Sequence, residues 1–383
     1  MADVRPERLN ILFAGGGTGG HLFPALAIAD ELKKVRPEAE ITFVGTKSGI
    51  GARLVPMRGY KFVPIWVSGF KRQLTLESIL FPVKLIVALM QSFLIIRRLH
   101  PTVVVGTGGY VCGPVVYVGS VLAIPTLIQE QNSYPGFTTR FLSSRVDQVH
   151  ISFENSKRFF KRTDNVRFSG NPTRATLGSI TKAEAASFFG LDVQKKTLLV
   201  FGGSLGASSI NRAVCNILSD LTTSGIQVIW QTGENDYDNI KASPEYQAEK
   251  ERGAIKVFKF VEKMEYAYSA CDLALCRAGA TTVAELTRAG VPAVLVPYPY
   301  ATADHQTENA KVLVESGAAI MIADDMLSAK LPGTLLDLLA DKERLKRMSE
   351  RAVSISKPKA AATIAQAVIG LAKERDGSTR ESV

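Results

Sequence analysis

The sequence predicts an α/β protein made of two Rossmann-like units, each with a parallel sheet. Three observations predict it. At 383 residues the chain exceeds what a single hydrophobic core ordinarily organises, and it suits two domains. Short apolar runs alternate with stretches of helical period, the pattern of βα units whose strands are covered on both faces. There is also a weak internal repeat: ILFAGGGTGG at 11–20 and LLVFGGSLGA at 198–207 both read as strand, glycine loop, then helix.

In the first half, strands are expected at Leu9–Ala14, Ile41–Val44, Val103–Val105, Thr126–Ile128 and Val146–Ile151. In the second half they are expected at Leu198–Phe201, Gln227–Trp230, Ile255–Val257, Leu273–Leu275 and Ala293–Val296. Helical stretches such as Pro24–Val35, Ser208–Leu221, Thr282–Ala289 and Thr307–Glu315 lie between them. SGNPTRA at 169–175, with its Asn-Pro turn, is the natural linker. The expected organisation is therefore a domain at 1–168, a second at 169–345, terminal helices at 346–373 interrupted by Pro358, and a frayed tail at 374–383.

A hydrophobic content of 46% and a charged content of 21% exclude a chain disordered by composition. Lys plus Arg total 46 against 36 Asp plus Glu, a formal net charge of +10 that favours anionic partners: phosphorylated substrates, acidic lipid or nucleic acid. The positive residues are dispersed, and no RNA- or DNA-binding motif or aromatic platform stands out, so nucleic acid is disfavoured. Four cysteines, Cys112, Cys215, Cys271 and Cys276, are too few for a disulfide framework and show no Cys-x-x-Cys spacing; they read as reduced, buried thiols. MADVRPERLN lacks the long apolar core and cleavage site of a secretory signal, which points to a protein facing the cytoplasm.

The segment Ile79–Ile96 is apolar at every position except Pro82, Lys84, Gln91 and Ser92. Its length is near the threshold for a membrane span, but Lys84 and Gln91 are costly in lipid. Glu77, Lys84, Gln91 and Arg98 recur every seven residues as one narrow polar stripe, the mark of an amphipathic helix. Three placements stay open: a wholly buried helix, a helix resting on a membrane surface with Lys71, Arg72, Arg97 and Arg98 at its flanks, and a true span.

Three glycine loops carry the chemistry. Gly15-Gly16-Gly17-Thr18-Gly19-Gly20 follows a strand and opens a helix, so its amides and the helix dipole can face an anion. It satisfies Gly-x-Gly-x-x-Gly, but the next strand ends in Gly45-Thr46 without the acid a dinucleotide site needs, and His21 stands where a triphosphate loop would have Lys. The second loop is GTGGYVCGP at 106–114, and the third is Gly202-Gly203-Ser204-Leu205-Gly206-Ala207. Any one of them can be only a tight strand-to-helix turn; three in one chain favour phosphate binding. In CRAGATTVAEL at 276–286, Gly279 to Thr282 lies just before a helix and Glu285 falls in its first turn, either as a cap or as an acceptor for ribose hydroxyls. PYPYATADHQTENA at 297–310 adds Asp304, His305, Gln306 and Asn309, groups suited to reading a sugar.

Together GGGTGGHLFPALAIADEL, GTGGYVCGP, EQN at 130–132, GNPTR at 170–174, FGGSLGA, CRAGATTVAEL and DHQTENA resemble the MurG family of N-acetylglucosaminyltransferases, over roughly residues 9–350 in unbroken order. The resemblance implies the GT-B fold, two Rossmann-like domains with parallel sheets facing across a cleft that holds the active site. It implies an inverting hexosyltransferase that uses no metal or cofactor. Such enzymes move N-acetylglucosamine from UDP-N-acetylglucosamine to the muramoyl C4 hydroxyl of undecaprenyl-diphospho-muramoylpentapeptide, as peripheral proteins on the cytoplasmic face of an anionic membrane. The N-terminal domain would serve the acceptor and the membrane, the C-terminal domain the donor, and the terminal helices would pack back toward the N-terminal domain.

Carried over by position, the resemblance places Thr18, Gly19, Gly20 and Asn132 near the donor sugar and Arg174 and Ser204 on its diphosphate. It puts the Val261 backbone on uracil, Ala280, Thr281, Thr282, Val283, Ala284 and Glu285 around the nucleotide with Glu285 on the ribose, and Gln306 on the sugar. The family usually shows His-Glu-Gln-Asn where this chain has Gln129-Glu130-Gln131-Asn132, so no catalytic histidine is expected at 129. Displacing UDP builds negative charge on the diphosphate, which amides, Ser204 and Arg174 can meet, and it requires a base for the acceptor hydroxyl. His21 is the preferred base, with a merely loop-capping histidine as its rival. A GT-B transferase with another lipid or small-molecule acceptor is the competing function.

Overall fold

The computed structural model describes residues 9–69, 80–203, 205–251 and 255–375. The chain divides into two compact units, residues 1–173 together with 358–383, and residues 174–357.

In the first unit the strands are β1 (Asn10–Ala14), β2 (Glu40–Gly45), β3 (Lys61–Pro64), β4 (Val103–Gly106), β5 (Thr126–Glu130), β6 (Gln148–Ile151) and β7 (Val166–Phe168), parallel in the order β3-β2-β1-β4-β5-β6-β7. The apolar runs read as central strands because both faces are covered. Ile11, Phe13, Ile41, Phe43, Val103 and Val105 pack on one side with the Gly19–Val35 and Ala360–Arg375 helices. Leu12, Ala14, Val44 and Val104 pack on the other with the Phe81–Leu99 and Cys112–Val121 helices. Alternating side chains thus feed two cores, and neither face can be polar.

The second unit repeats the plan with β8 (Thr197–Phe201), β9 (Gln227–Gln231), β10 (Ile255–Phe258), β11 (Leu273–Cys276), β12 (Ala293–Leu295) and β13 (Ala319–Met321), parallel in the order β10-β9-β8-β11-β12-β13. In each sheet the strands spread from the first one and then reverse, so the order switches between β1 and β4 and between β8 and β11. Open parallel sheets bind ligands at the carboxyl ends of the strands flanking such a switch.

Several details differ from expectation. The strands β3, β7 and β13 went unforeseen: Lys61–Pro64 and Val166–Phe168 close the edges of their sheet, Ala319–Met321 closes an edge of the other, and each is short and part-exposed. The first helix starts at Gly19 and carries Pro24 inside it. Ser208–Leu221 is two helices, Ser208–Asn216 and Leu218–Thr223, parted at Ile217; Leu218 and Leu221 stay in the same core, so the apolar period runs on across the break. Cys112 and Cys276 are buried, but Cys215 and Cys271 are only partly so. Residues 376–383 of the expected tail lie outside the described residues.

The Phe81–Leu99 helix inverts the usual amphipathic plan. Ile79, Glu77, Lys71 and Arg72 lie outside the described residues. The face turned to the core is narrow, with Ala88, Ser92 and Ile96 buried at four-residue spacing, and the Ser92 hydroxyl donates to the Ala88 carbonyl. The polar stripe serves the flank: Lys84 Nζ donates to Ser68 Oγ at 3.2 Å and Gln91 Oε1 accepts from the Trp66 amide at 2.8 Å. Val83, Ile86, Met90, Phe93 and Leu94 are left exposed, Ile86 to 59% and Met90 to 62%. A wholly buried helix is therefore excluded. Among the described residues no helix is long and apolar enough to cross a membrane.

Candidate active site

At the first switch point the β1 and β4 carboxyl ends each lead into a glycine loop. The helix after β1 begins at Gly19 with Thr18 as its N-cap; the Thr18 side chain makes no capping bond, and no acidic residue lies in the first turn. Thr18 and Gly20 are exposed, so the positive end of that helix is open to an anion. His21 stands in the same first turn, half-buried. Its Nδ1 lies 3.0 Å from the Thr107 carbonyl oxygen, at the end of β4, and 3.0 Å from Gln131 Oε1, just past β5. The loop after β4 closes tightly around the ring: Gly108 has φ +95°, and a Cβ there would stand 2.6 Å from His21 Nδ1.

Asn132 lies beside this group, but its side-chain nitrogen and its backbone N–H both donate to Glu130 Oε1, at 3.3 and 3.1 Å. The other Glu130 oxygen accepts from the Gly136 amide at 3.1 Å, so this buried carboxylate braces the 132–136 loop and makes no bond to His21. Gln129 Nε2 donates to Ser152 Oγ at 3.0 Å and to Asn171 Oδ1 at 3.4 Å.

The second switch point gathers most of the expected donor residues. The helix after β11 runs Ala280–Ala289 with Gly279 as its N-cap, no capping side chain and no acid in its first turn. Glu285 therefore lies in the second turn, and the expectation of a first-turn, dipole-favoured carboxylate is corrected. The Ala280–Thr282 stretch, read as loop, is the helix start. Glu285 is buried, its Oε2 accepting from the Tyr268 hydroxyl at 3.1 Å and its Oε1 facing Arg174 Nε at 3.5 Å; Arg174 Nη1 also donates to Glu265 Oε2 at 3.2 Å. Burial pushes the Glu285 carboxyl above the usual carboxylate range, against the pull of Arg174 and the Tyr268 hydroxyl, with Glu265 adding to the rise. Arg174 is thus held between two carboxylates beside the ribose-reading candidate. Ser204 lies outside the described residues.

Val261 is buried just past β10, and its backbone N–H already donates to Gln231 Oε1 at 2.8 Å, which leaves its carbonyl for a base. Gln231 Nε2 in turn donates to the Gly203 carbonyl at 2.8 Å, tying the third glycine loop to the Val261 segment. Gln306 Oε1 accepts from the Tyr298 amide at 3.0 Å, and Asn309, proposed as a sugar reader, is fully buried with its side chain donating to the Ala278 carbonyl. Asn309 supports the loop from within.

Three contributors escaped the sequence reading. Gln131 and Gln231 stand at strand ends and act through chain neighbours far off in sequence. Arg277, between β11 and the Ala280–Ala289 helix, donates from Nη1 to the Val296 and Pro297 carbonyls at 3.2 and 3.1 Å and to Asp324, and from Nη2 to Ser209 Oγ at 2.8 Å. Its only signal was position: a cation at the carboxyl end of a buried strand, directly before Ala278-Gly279. Among the described residues no group of three or more His, Cys, Asp or Glu is placed to hold a metal ion.

Residues 11–151 match the glycosyltransferase family 28 N-terminal domain, and residues 197–367 match the family 28 C-terminal domain. The chain is 47% identical over 371 residues to the UDP-N-acetylglucosamine–N-acetylmuramyl-(pentapeptide) pyrophosphoryl-undecaprenol N-acetylglucosamine transferase of Chlorobium limicola, across 95% of this chain and 100% of that protein. It is 42% identical over 367 residues to the protein of the same name from Listeria welshimeri, across 95% of this chain and 100% of that one. Among solved structures, MurG of Acinetobacter baumannii matches with a TM-score of 0.73 at 30% identity, covering 94% of this chain and 99% of that one. The chain belongs to glycosyltransferase family 28, with the two parallel-sheet α/β domains of the GT-B class, and within it to the MurG N-acetylglucosaminyltransferases.

Proposed function

We propose that this chain moves N-acetylglucosamine from UDP-N-acetylglucosamine to the C4 hydroxyl of the muramoyl sugar in undecaprenyl-diphospho-muramoylpentapeptide, with inversion at the anomeric carbon. The observation that carries this reading is the full-length identity of 47% to a relative named for that transfer. In the reaction, the acceptor oxygen forms a bond to the anomeric carbon as the bond to the diphosphate oxygen breaks, and the electron pair leaves with UDP. The acceptor proton passes to the Nε2 of His21, because its Nδ1 is occupied by the Thr107 carbonyl and Gln131. Placing the nucleotide at the second switch point gives Glu285 the ribose hydroxyls, the Val261 carbonyl the uracil N–H, and Arg174 with the helix amides at 280–282 the diphosphate charge. Thr18 to Gly20, Asn132 and Gln306 are assigned to the sugar.

The acceptor is a lipid, and the exposed apolar face at Val83, Ile86, Met90 and Leu94, followed by Arg97 and Arg98 in the last turn, suits a peripheral seat on an anionic membrane. The direct test incubates the protein with radiolabelled UDP-N-acetylglucosamine and a short-chain lipid-linked muramoyl pentapeptide, beside parallel reactions with other UDP-sugars. Label in a lipid-linked disaccharide from this donor alone is expected; equal transfer from unrelated UDP-sugars, or none to this acceptor, would remove the proposal.

A further inference from the structure

We infer that Gln131 is a positioning residue for the reaction: with the Thr107 carbonyl it locks the His21 imidazole in the tautomer protonated on Nδ1, leaving a lone pair on Nε2 directed at the acceptor. This rests on His21 being the base.

Two independent constraints fix the protons. A backbone carbonyl can only accept, so the ring nitrogen 3.0 Å from the Thr107 oxygen must carry a hydrogen. That hydrogen then needs an acceptor from Gln131, also at 3.0 Å, which must be the amide oxygen. The Gln131 amide is set from its other end as well. Its nitrogen lies 2.8 Å from the same Thr107 carbonyl and 3.2 Å from the Gln129 carbonyl, both acceptors only, and it also donates to Gln129 Oε1. Flipping the amide would set oxygen against oxygen at two backbone groups. Both routes give one answer: Gln131 nitrogen inward, Gln131 oxygen toward the ring, hydrogen on Nδ1.

Gln131 is buried to 3% exposure, so water offers no replacement partner for its amide. The orientation extends outward through Gln129, held in turn by Ser152 and Asn171. Where the family pattern has a histidine at 129, this chain therefore has an amide that takes no proton and only aims its neighbour. When Nε2 accepts the acceptor proton, the positive ring faces two oxygen atoms that already point at it, so no group has to turn as charge develops. The same pair prevents the ring from turning about its Cβ–Cγ bond and withdrawing Nε2.

The test reads the tautomer directly. In full-length protein labelled with 15N-histidine, the chain has 4 histidines, and the His21→Ala protein identifies the signals of residue 21. A protonated Nδ1 and unprotonated Nε2 at neutral pH are expected in the unmutated protein; the opposite tautomer, or an even mixture, overturns the inference with no variant needed. In Gln131→Leu, which keeps the volume but removes the acceptor, the tautomer preference should fall and kcat should drop about 10- to 100-fold, with KM for UDP-N-acetylglucosamine unchanged. An unchanged spectrum and kcat in Gln131→Leu would refute the positioning role. Full turnover by His21→Ala would instead refute His21 as base, a separate failure.

Discussion

The third glycine loop allows a prediction with its own internal control. Gly206 has φ +83°, and a Cβ there would meet the Thr232 carbonyl oxygen at 2.0 Å and the Gly233 Cα at 3.1 Å, both backbone atoms that cannot swing aside. Gly203 has φ +97° and open space around a Cβ. An alanine at either position costs about 1–3 kcal/mol for the backbone conformation. At 206 the collision adds about 1–3 kcal/mol, since one of the two backbones must move. Gly206→Ala should therefore lose about 2–6 kcal/mol and Gly203→Ala about half of that. For a domain of this size each kcal/mol lowers Tm by about 2–4 °C, so Gly206→Ala should melt roughly 4–24 °C below the parent. Pushing Gly206 away from Thr232 also displaces the loop assigned to the diphosphate, so UDP should bind more weakly and stabilise the variant less. Calorimetry with and without UDP measures both. Equal melting of the two variants would refute the collision argument, and unchanged UDP affinity in Gly206→Ala would remove this loop from the nucleotide site.

Further perturbations test other parts of the structure. His21→Ala should lower turnover roughly 10²- to 10⁴-fold while UDP affinity, read by calorimetry, stays the same. Burial, helped by Arg167, holds His150 at about 4 against its usual 6.5, with the ring bonded to Ser169 and Gln148. Between those two pH values the unfolded chain takes a proton that the folded one refuses, so stability falls with acidification by about 1.4 kcal/mol per pH unit, about 3 kcal/mol in all. Urea unfolding of His150→Gln from pH 7 to pH 4.5 should show a correspondingly flatter pH dependence. Arg277→Ala leaves Asp324 with the Ser209 hydroxyl but without its cation and releases two carbonyls, and should cost roughly 2–3 kcal/mol in chemical unfolding. The Ile86→Glu, Met90→Glu double variant should fold normally, since both side chains are exposed, yet lose at least tenfold in co-sedimentation with anionic vesicles.

Much of the molecule was legible because its signals are local. A buried parallel strand is an unbroken apolar run, and a glycine loop between strand and helix can be read within ten residues; the strand order that makes two of these loops switch points cannot. What depends on distant partners was not legible. Gln131 acquires meaning only because β5 ends near β4, which lies more than twenty residues earlier, and the same holds for Gln231 with Gly203 and Val261. Arg277 is one cation in a motif dominated by small residues. Glu285 was placed a turn too early because Ala280, Thr281 and Thr282 after a glycine look like loop, whereas the uncapped helix begins among them. In the Phe81–Leu99 helix the period is legible in the sequence but the placement is not, since nothing local tells that a narrow core contact made by Ala88 and Ser92 leaves the larger residues outside.

The helix at Ala360–Arg375 lends Ile364, Val368 and Ile369 to the core formed by Ile11, Phe13 and Leu22, near the other end of the chain. A ribosome therefore finishes one whole sheet, residues 174–357, before the first can be sealed. At common elongation speeds that delay is on the order of ten seconds or more. Throughout it the nascent protein carries an unfinished apolar seam, exposed to chaperones and to neighbouring chains, so premature termination just before the final helix should yield aggregation rather than a weaker enzyme.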